Sequence, residues 1–188
     1  MNEAEKPELK PANDNPWYWL ATLYGECKND SEPNQDIAQK NRNAWNRWFA
    51  KELSKKQRAA LPQGAISPED LTPLNGNEET ALAAAFTKRS GRVDQLLPDR
   101  TKEIDFSHTI FDSHVNLLGF IFPNDANSNS ATFSEGADFT IAMFAELAIF
   151  DSATFSKGVD FNSAKFSGDA GFDSATFSRE TPIKSADC

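Results

Sequence analysis

"ATFSKGVDFNSAKF", residues 153–166, sets Phe155, Phe161 and Phe166 five and six residues apart, each with a small or β-branched residue two places before it. The same spacing runs on in both directions. Phe106, Phe111, Leu117, Phe122, Ser128, Phe133, Phe139, Phe144, Phe150, Phe155, Phe161, Phe166, Phe172 and Phe177 follow one another in steps that alternate five and six without a break, and twelve of these fourteen residues are Phe. The position two before is most often Ala, as at Ala126, Ala131, Ala137, Ala142, Ala148 and Ala153. Internal repetition this regular decides the fold class ahead of any local propensity.

An eleven-residue period is also compatible with a helical supercoil, so the offsets have to decide. Apolar places at offsets 0, 2, 6 and 8 would lie at about 0°, 200°, 240° and 80° around a helix, which makes no stripe. On a strand, residues two apart share a face and the one between them faces out. Each unit therefore predicts a three-residue strand, small-x-Phe, followed by a turn of Ser, Asp, Asn and Gly. Under a shift of 22, "ATFSEGADFTI" (131–141) matches "ATFSKGVDFNS" (153–163) at 7 positions, against 5, 4 and 5 between successive eleven-residue blocks. Four short strands then complete a coil, and fourteen give three and a half coils, a stack of roughly 16 Å at the ~4.8 Å strand spacing.

That geometry sorts the inward residues into four columns: Phe111, Phe133, Phe155, Phe177; Phe106, Ser128, Phe150, Phe172; Leu117, Phe139, Phe161; and Phe122, Phe144, Phe166. Each buried Phe contributes about 2 to 3 kcal/mol, which offsets the ordering of so narrow a structure. Ser128 interrupts one column, and Phe120, standing where Ala is usual, is expected to fill the gap. The outward lettering is what a partner can reach. Thr132, Thr154 and Thr176 should form one ladder and Asp138 with Asp160 another, and Thr132, Asp138, Thr154, Asp160 and Lys165 are the candidate surface residues.

The first hundred residues follow a helical grammar. Residues 1–14 read as a disordered polar tail. Asn15 with Pro16 marks a helix start before Trp17, Leu20 and Tyr24; a second helix spans about Gln35 to Leu53, and Ser54 opens a short one that stops at Pro62. Asn77 and Gly91 bracket a further helix with Leu82, Ala85 and Phe86 on its stripe. The four tryptophans are expected to anchor the core of this helical region, 15–103, ahead of the solenoid at 104–178 and a flexible tail at 179–188.

The chain as a whole is 39% hydrophobic and 25% charged, which places it in the globular class, and no apolar run is long enough to span a membrane. The polar, acidic N-terminus lacks an apolar signal core, and Cys27 and Cys188 are too few for a disulfide framework; both point to the cytoplasm and to free thiols. The net charge of −9 is uneven: residues 1–103 carry 15 basic and 16 acidic residues, residues 104–188 carry 4 and 12. A phosphate backbone would be repelled by the second half, so direct nucleic-acid binding is not expected.

The repeat resembles the pentapeptide-repeat proteins, whose pattern A-[DN]-[LF]-x-x folds as a right-handed four-sided β-helix. By that pattern Phe150, Phe155, Phe161 and Phe166 match the central positions and Ala148, Ala153, Val159 and Ala164 the small inward ones. One extra residue at every second turn resembles a Phe-rich subgroup. "NPWYWLATLYGE" with "NRNAWN" is also similar to segments that precede such repeats in some bacterial proteins. The fold class is therefore α+β, a small helical region followed by a right-handed four-sided β-solenoid of about three and a half coils.

Catalytic constellations do not stand out. His108 and His114 are the only histidines and have no clustered Cys or His beside them, and no nucleophile elbow, phosphate loop or zinc motif occurs. The reading is a non-enzymatic scaffold for protein–protein interaction, without a cofactor or metal. A solenoid end without a cap exposes strand edges, so either a homodimer through the C-terminal end or a shortened relative of longer repeat proteins is expected. The alternative implied by the resemblance is an acidic rod that imitates duplex DNA and protects DNA gyrase.

Overall fold

The computed structural model describes residues 8–27, 32–61 and 66–178; the expected tail at 179–188, Cys188, Pro62 and the first seven residues lie outside them. From Ile104 onward the chain winds as a parallel β-solenoid of four sheets with 22-residue spacing. One sheet holds β1 (Lys10–Pro11), β3 (Thr109–Phe111), β7 (Thr132–Phe133), β11 (Thr154–Phe155) and β15 (Thr176–Phe177). The second holds β2 (Ile104–Asp105), β6 (Ala126–Asn127), β10 (Ala148–Ile149) and β14 (Ala170–Gly171). The third holds β4 (Val115–Asn116), β8 (Ala137–Asp138) and β12 (Val159–Asp160), and the fourth β5 (Ile121–Phe122), β9 (Met143–Phe144) and β13 (Lys165–Phe166). They are called here the threonine, asparagine, aspartate and lysine faces. All but β3 are two residues long rather than three, because the turns begin directly after the ladder pairs.

The inward columns form as the spacing demands. Phe111, Phe133, Phe155 and Phe177 stack at centroid separations of 4.7, 4.9 and 5.2 Å, and Phe122, Phe144 and Phe166 at 4.7 and 4.8 Å. Between columns the rings meet edge to face, as Phe139 and Phe150 do at 5.6 Å. Such offset and edge contacts are favourable beyond the area they bury. Phe120, expected to fill the gap at Ser128, is fully buried. Its ring turns to the helices, 5.4 Å from Trp45, because an aromatic surface is waiting there.

The corners obey a second period. His108, Gly119, Ser130, Ile141, Ser152, Ser163 and Ser174, eleven residues apart, all hold φ between +50° and +70°. Each sits in a five-residue step, and at all but the His108 corner an i to i+3 bond closes the turn, as from Ala142 N–H to Phe139 C=O at 2.9 Å. That left-handed place normally calls for Gly, and one of the seven residues is Gly.

Four helices occupy the N-terminal region: α1 (Pro16–Ala21), α2 (Glu32–Phe49), α3 (Lys55–Ala60) and α4 (Gly76–Ser90). Asn15 caps α1 as its sequence implies, its Oδ1 accepting from Trp17 N–H at 2.9 Å. Ser54 and Gln57 form a reciprocal capping box at the start of α3. For α4 the cap is Asn75, not Asn77: Asn75 Oδ1 accepts from the Asn77 and Glu78 amides at 3.0 Å each, and the Glu78 carboxylate accepts from Asn75 N–H at 2.9 Å. Helix α2 ends at Phe49, four residues before the expected end at Leu53, since Leu53 leaves the helix to pack with Ile66 against Ile121 of the solenoid. Trp17, Tyr18 and Trp19 are all buried although consecutive, because α1 lies between α2, α4 and the first coil.

The head seals the first coil, and part of the seal lies in the stretch whose sequence predicts a tail. Within residues 1–14, the stretch from Lys10 to Asp14 is ordered: Lys10–Pro11 pairs with Thr109–Ile110 as a parallel strand, and Lys10 N–H donates to His108 C=O at 2.7 Å. A lysine and a proline carry no strand signature, so the pairing comes from the open edge of β3. At the edge of β5 a side chain takes the place of a strand. The Asn46 amide donates to Gly119 C=O at 2.9 Å and accepts from Ile121 N–H at 2.9 Å, both buried, while Trp45 Nε1 donates to Ile121 C=O at 2.8 Å. Tyr18 and Trp45 continue the columns upward, 5.3 Å from Phe111 and 5.6 Å from Phe122, so a single apolar core runs from the helices into the third coil. Among the described residues no helix is long and apolar enough to cross a membrane.

Two substitutions test this packing. Phe133→Ala should cost about 3 to 5 kcal/mol in urea unfolding, the usual loss for a buried ring. Asn46→Ala should cost about 2 kcal/mol or more by stranding a buried amide and a buried carbonyl, and should speed hydrogen exchange at Ile121 selectively.

Candidate functional site

The thirteen aromatic and leucine residues of the repeat, from Phe106 to Phe177, form the interior and leave the faces and ends of the solenoid for recognition. Phe106, Phe111, Leu117, Phe122, Phe133, Phe139, Phe144, Phe150 and Phe155 are fully enclosed, Phe161, Phe166 and Phe172 partly so, and Phe177 is 53% exposed. A gradient of this kind has a direction. It runs from the sealed first coil to the last one.

The five candidate surface residues do not converge. Thr132 and Thr154 stand in register with Ile110 and Thr176 on the threonine face. Asp138 and Asp160 stack beneath Asn116 on the aspartate face. Lys165 belongs to the lysine face and is engaged, its Nζ donating to Ala60 C=O at 2.6 Å. Three faces share five residues.

The acidic side chains are largely bound into the fold. Asp138 accepts from Thr140 N–H at 2.7 Å and Asp160 from Asn162 N–H at 2.6 Å, while Asn116 and Asn127 make the same two-residue turn above them and on the next sheet. Asx turns of this sort explain why Asp and Asn recur at that place. Asp125 and Asp151 reach one coil further, accepting from the amides of Leu147 and Asp173 at 3.1 and 2.9 Å. Asp173 follows β14 on the asparagine face, across the solenoid from Asp138 and Asp160, so these acids do not line one stripe.

The lysine face is not open surface. Ile121 and Met143 point outward and are 0% exposed, covered by α3 and by the cluster of Leu53, Leu61, Ile66 and Leu71. Gln57 extends the cover, donating to Pro123 C=O at 2.9 Å and to Glu146 at 3.0 Å. The head therefore lies along a side as well as across the end. Apolar residues at two outward places in a row were the available signal in the sequence.

Ion pairs knit the head together. The Asn75 amide, and after it Arg47, which meets both Glu78 oxygens at 2.8 Å, hold the Glu78 carboxyl below its ordinary range. Lys51 and Arg100 do the same for Glu79, and Arg100 stacks 4.0 Å from the Trp48 ring. Burial raises the Tyr18 hydroxyl and the Cys27 thiol, so neither ionises readily near neutral pH. Cys27 is a free, buried thiol.

A concavity of about 730 Å³ lies between β1, the start of α1 and the loop at 95–103, with Lys10, Trp17, Leu97, Lys102 and Glu103 among its walls. Its charges are of both signs. His108 has a buried Nδ1 without a partner among the described residues, and His114 Nδ1 lies 3.3 Å from Glu135 C=O. Among the described residues no group of three or more His, Cys, Asp or Glu side chains could hold a metal ion.

Comparisons with family models, with curated proteins and with solved structures gave no match for this chain.

Proposed function

We propose that the chain is a non-enzymatic interaction scaffold of the pentapeptide-repeat type, engaging its own second copy through the last coil and a protein partner through its free faces. The single observation that carries this reading is the asymmetry of the two ends. In earlier coils the inward residues aim their backbone at the next coil: Ala137 N–H donates to Gly158 C=O at 3.2 Å, Ala148 N–H to Asp169 C=O at 2.9 Å, and Phe144 C=O accepts from Ser167 N–H at 2.8 Å. Their equivalents in the last coil, the Val159 and Ala170 amides and the Phe166 carbonyl, have no backbone partner among the described residues. Edges of this sort pair with another strand when one is offered.

Phe177 supplies the apolar part of the same surface, half exposed at the foot of its column. A second copy brings an identical edge and an identical ring, as a two-fold interface requires. Cytoplasmic residence belongs to the same reading and is supported by the unpaired, buried Cys27. The threonine and aspartate faces remain for a partner protein, since the lysine face is taken by the head.

Light scattering on the full chain is expected to give twice the monomer mass at tens of micromolar, and Phe177→Lys to restore the monomer with the β-sheet circular dichroism retained. A monomer for the unaltered chain at that concentration overturns the end-to-end reading.

A further inference from the structure

Helix α3 is attached in a manner unlike α1, α2 and α4. None of its residues is buried, whereas α1 contributes Trp19 and Leu20, α2 Trp45 and Phe49, and α4 Leu82 and Phe86 to the core. Its hold is polar and near the surface: Gln57 reaches Pro123 and Glu146, Lys165 reaches the Ala60 carbonyl, and Arg58 donates to the carbonyls of Ala50 and Leu71. A six-residue helix does not persist by itself in water, so these few contacts and its capping box keep it in place.

Beneath it lies a side chain that faces away from the solenoid interior. Met143 stands in register between Ile121 and Lys165, and the crevice under α3 is walled by Gln57, Ala60, Met143 and Glu146. The backbone of Met143 is held by the coil above, its N–H donating to Phe120 C=O at 2.9 Å. The nearest apolar support, Leu53 with Ile66 and Ile121, is a cluster separate from the main core. Local opening draws on regions with few buried contacts and surface hydrogen bonds.

We propose that α3 is a detachable flap that opens ahead of global unfolding and uncovers the Met143 thioether on the lysine face. The coil ladder beneath it stays intact while Gln57 and Lys165 let go. This inference is independent of the scaffold reading.

Hydrogen peroxide reads the opening, because the Met143 sulfur takes one oxygen from the peroxide and water leaves, giving the sulfoxide. The experiment measures that rate by peptide mass on the full chain, with free methionine as reference, in the unaltered protein and in Gln57→Ala, Lys165→Ala and Phe155→Leu. The flap variants are expected to speed Met143 oxidation about fivefold each, the factor one net hydrogen bond is worth. Phe155→Leu, which weakens the core on the far side of the solenoid, is expected to leave the rate alone, and the amides of 55–60 to exchange faster than those of α2 and α4. Acceleration that follows global stability across all three variants, or no acceleration by either flap variant, overturns the proposal.

Discussion

A coil of a β-solenoid satisfies its backbone only through its neighbours, so every such structure has two ends at which hydrogen bonds run out. An unpaired buried amide or carbonyl is costly, and the first coil here meets that cost with whatever the head can supply. A two-residue strand covers β3, an asparagine side chain covers β5, and the indole of Trp45 takes the remaining Ile121 carbonyl. The helices are arranged so that these three devices reach their places. Their own packing, with Trp17 near Trp45 and Trp19 near Phe86, follows from bringing aromatic side chains to the mouth of the columns.

The interior is set by a different balance. Rings stacked at just under 5 Å match the strand spacing, so the columns and the ladders share one repeat distance and neither strains the other. The corners are where strain is admitted. Ile141 is β-branched and held at φ +52°, a conformation such residues rarely adopt, and its side chain lies over Gly119 beneath Arg42. At Ser130, Ser152, Ser163 and Ser174 the same corner carries a small polar residue.

The solenoid was legible because each inward Phe repeats the same decision, and fourteen decisions in register leave no competing fold. The threonine and aspartate ladders were legible for the same reason. Lys10–Pro11 was not, since its strand is imposed by the edge of β3 and nothing in a lysine and a proline signals it. The role of Asn46 was likewise hidden: in a helix it reads as ordinary polarity, and only the arrival of Gly119 and Ile121 gives it both partners. Lys165 looked like free surface because the sequence does not say that Ala60 would end its helix against it. The sequence did carry one unused hint, the apolar Ile121 and Met143 at outward places, which only a covering element explains.

The Asn46 clamp has a consequence for how such a chain changes length. A side chain that imitates a strand fits one register of one coil, so inserting or deleting repeats near Gly119 would separate the amide from its carbonyl and its N–H together. Among the described residues the opposite end has no such lock, and a unit of 22 residues added there would reproduce the edge it covers, one storey further on. The solenoid is in this sense a ruler with a fixed zero: its head defines where counting starts.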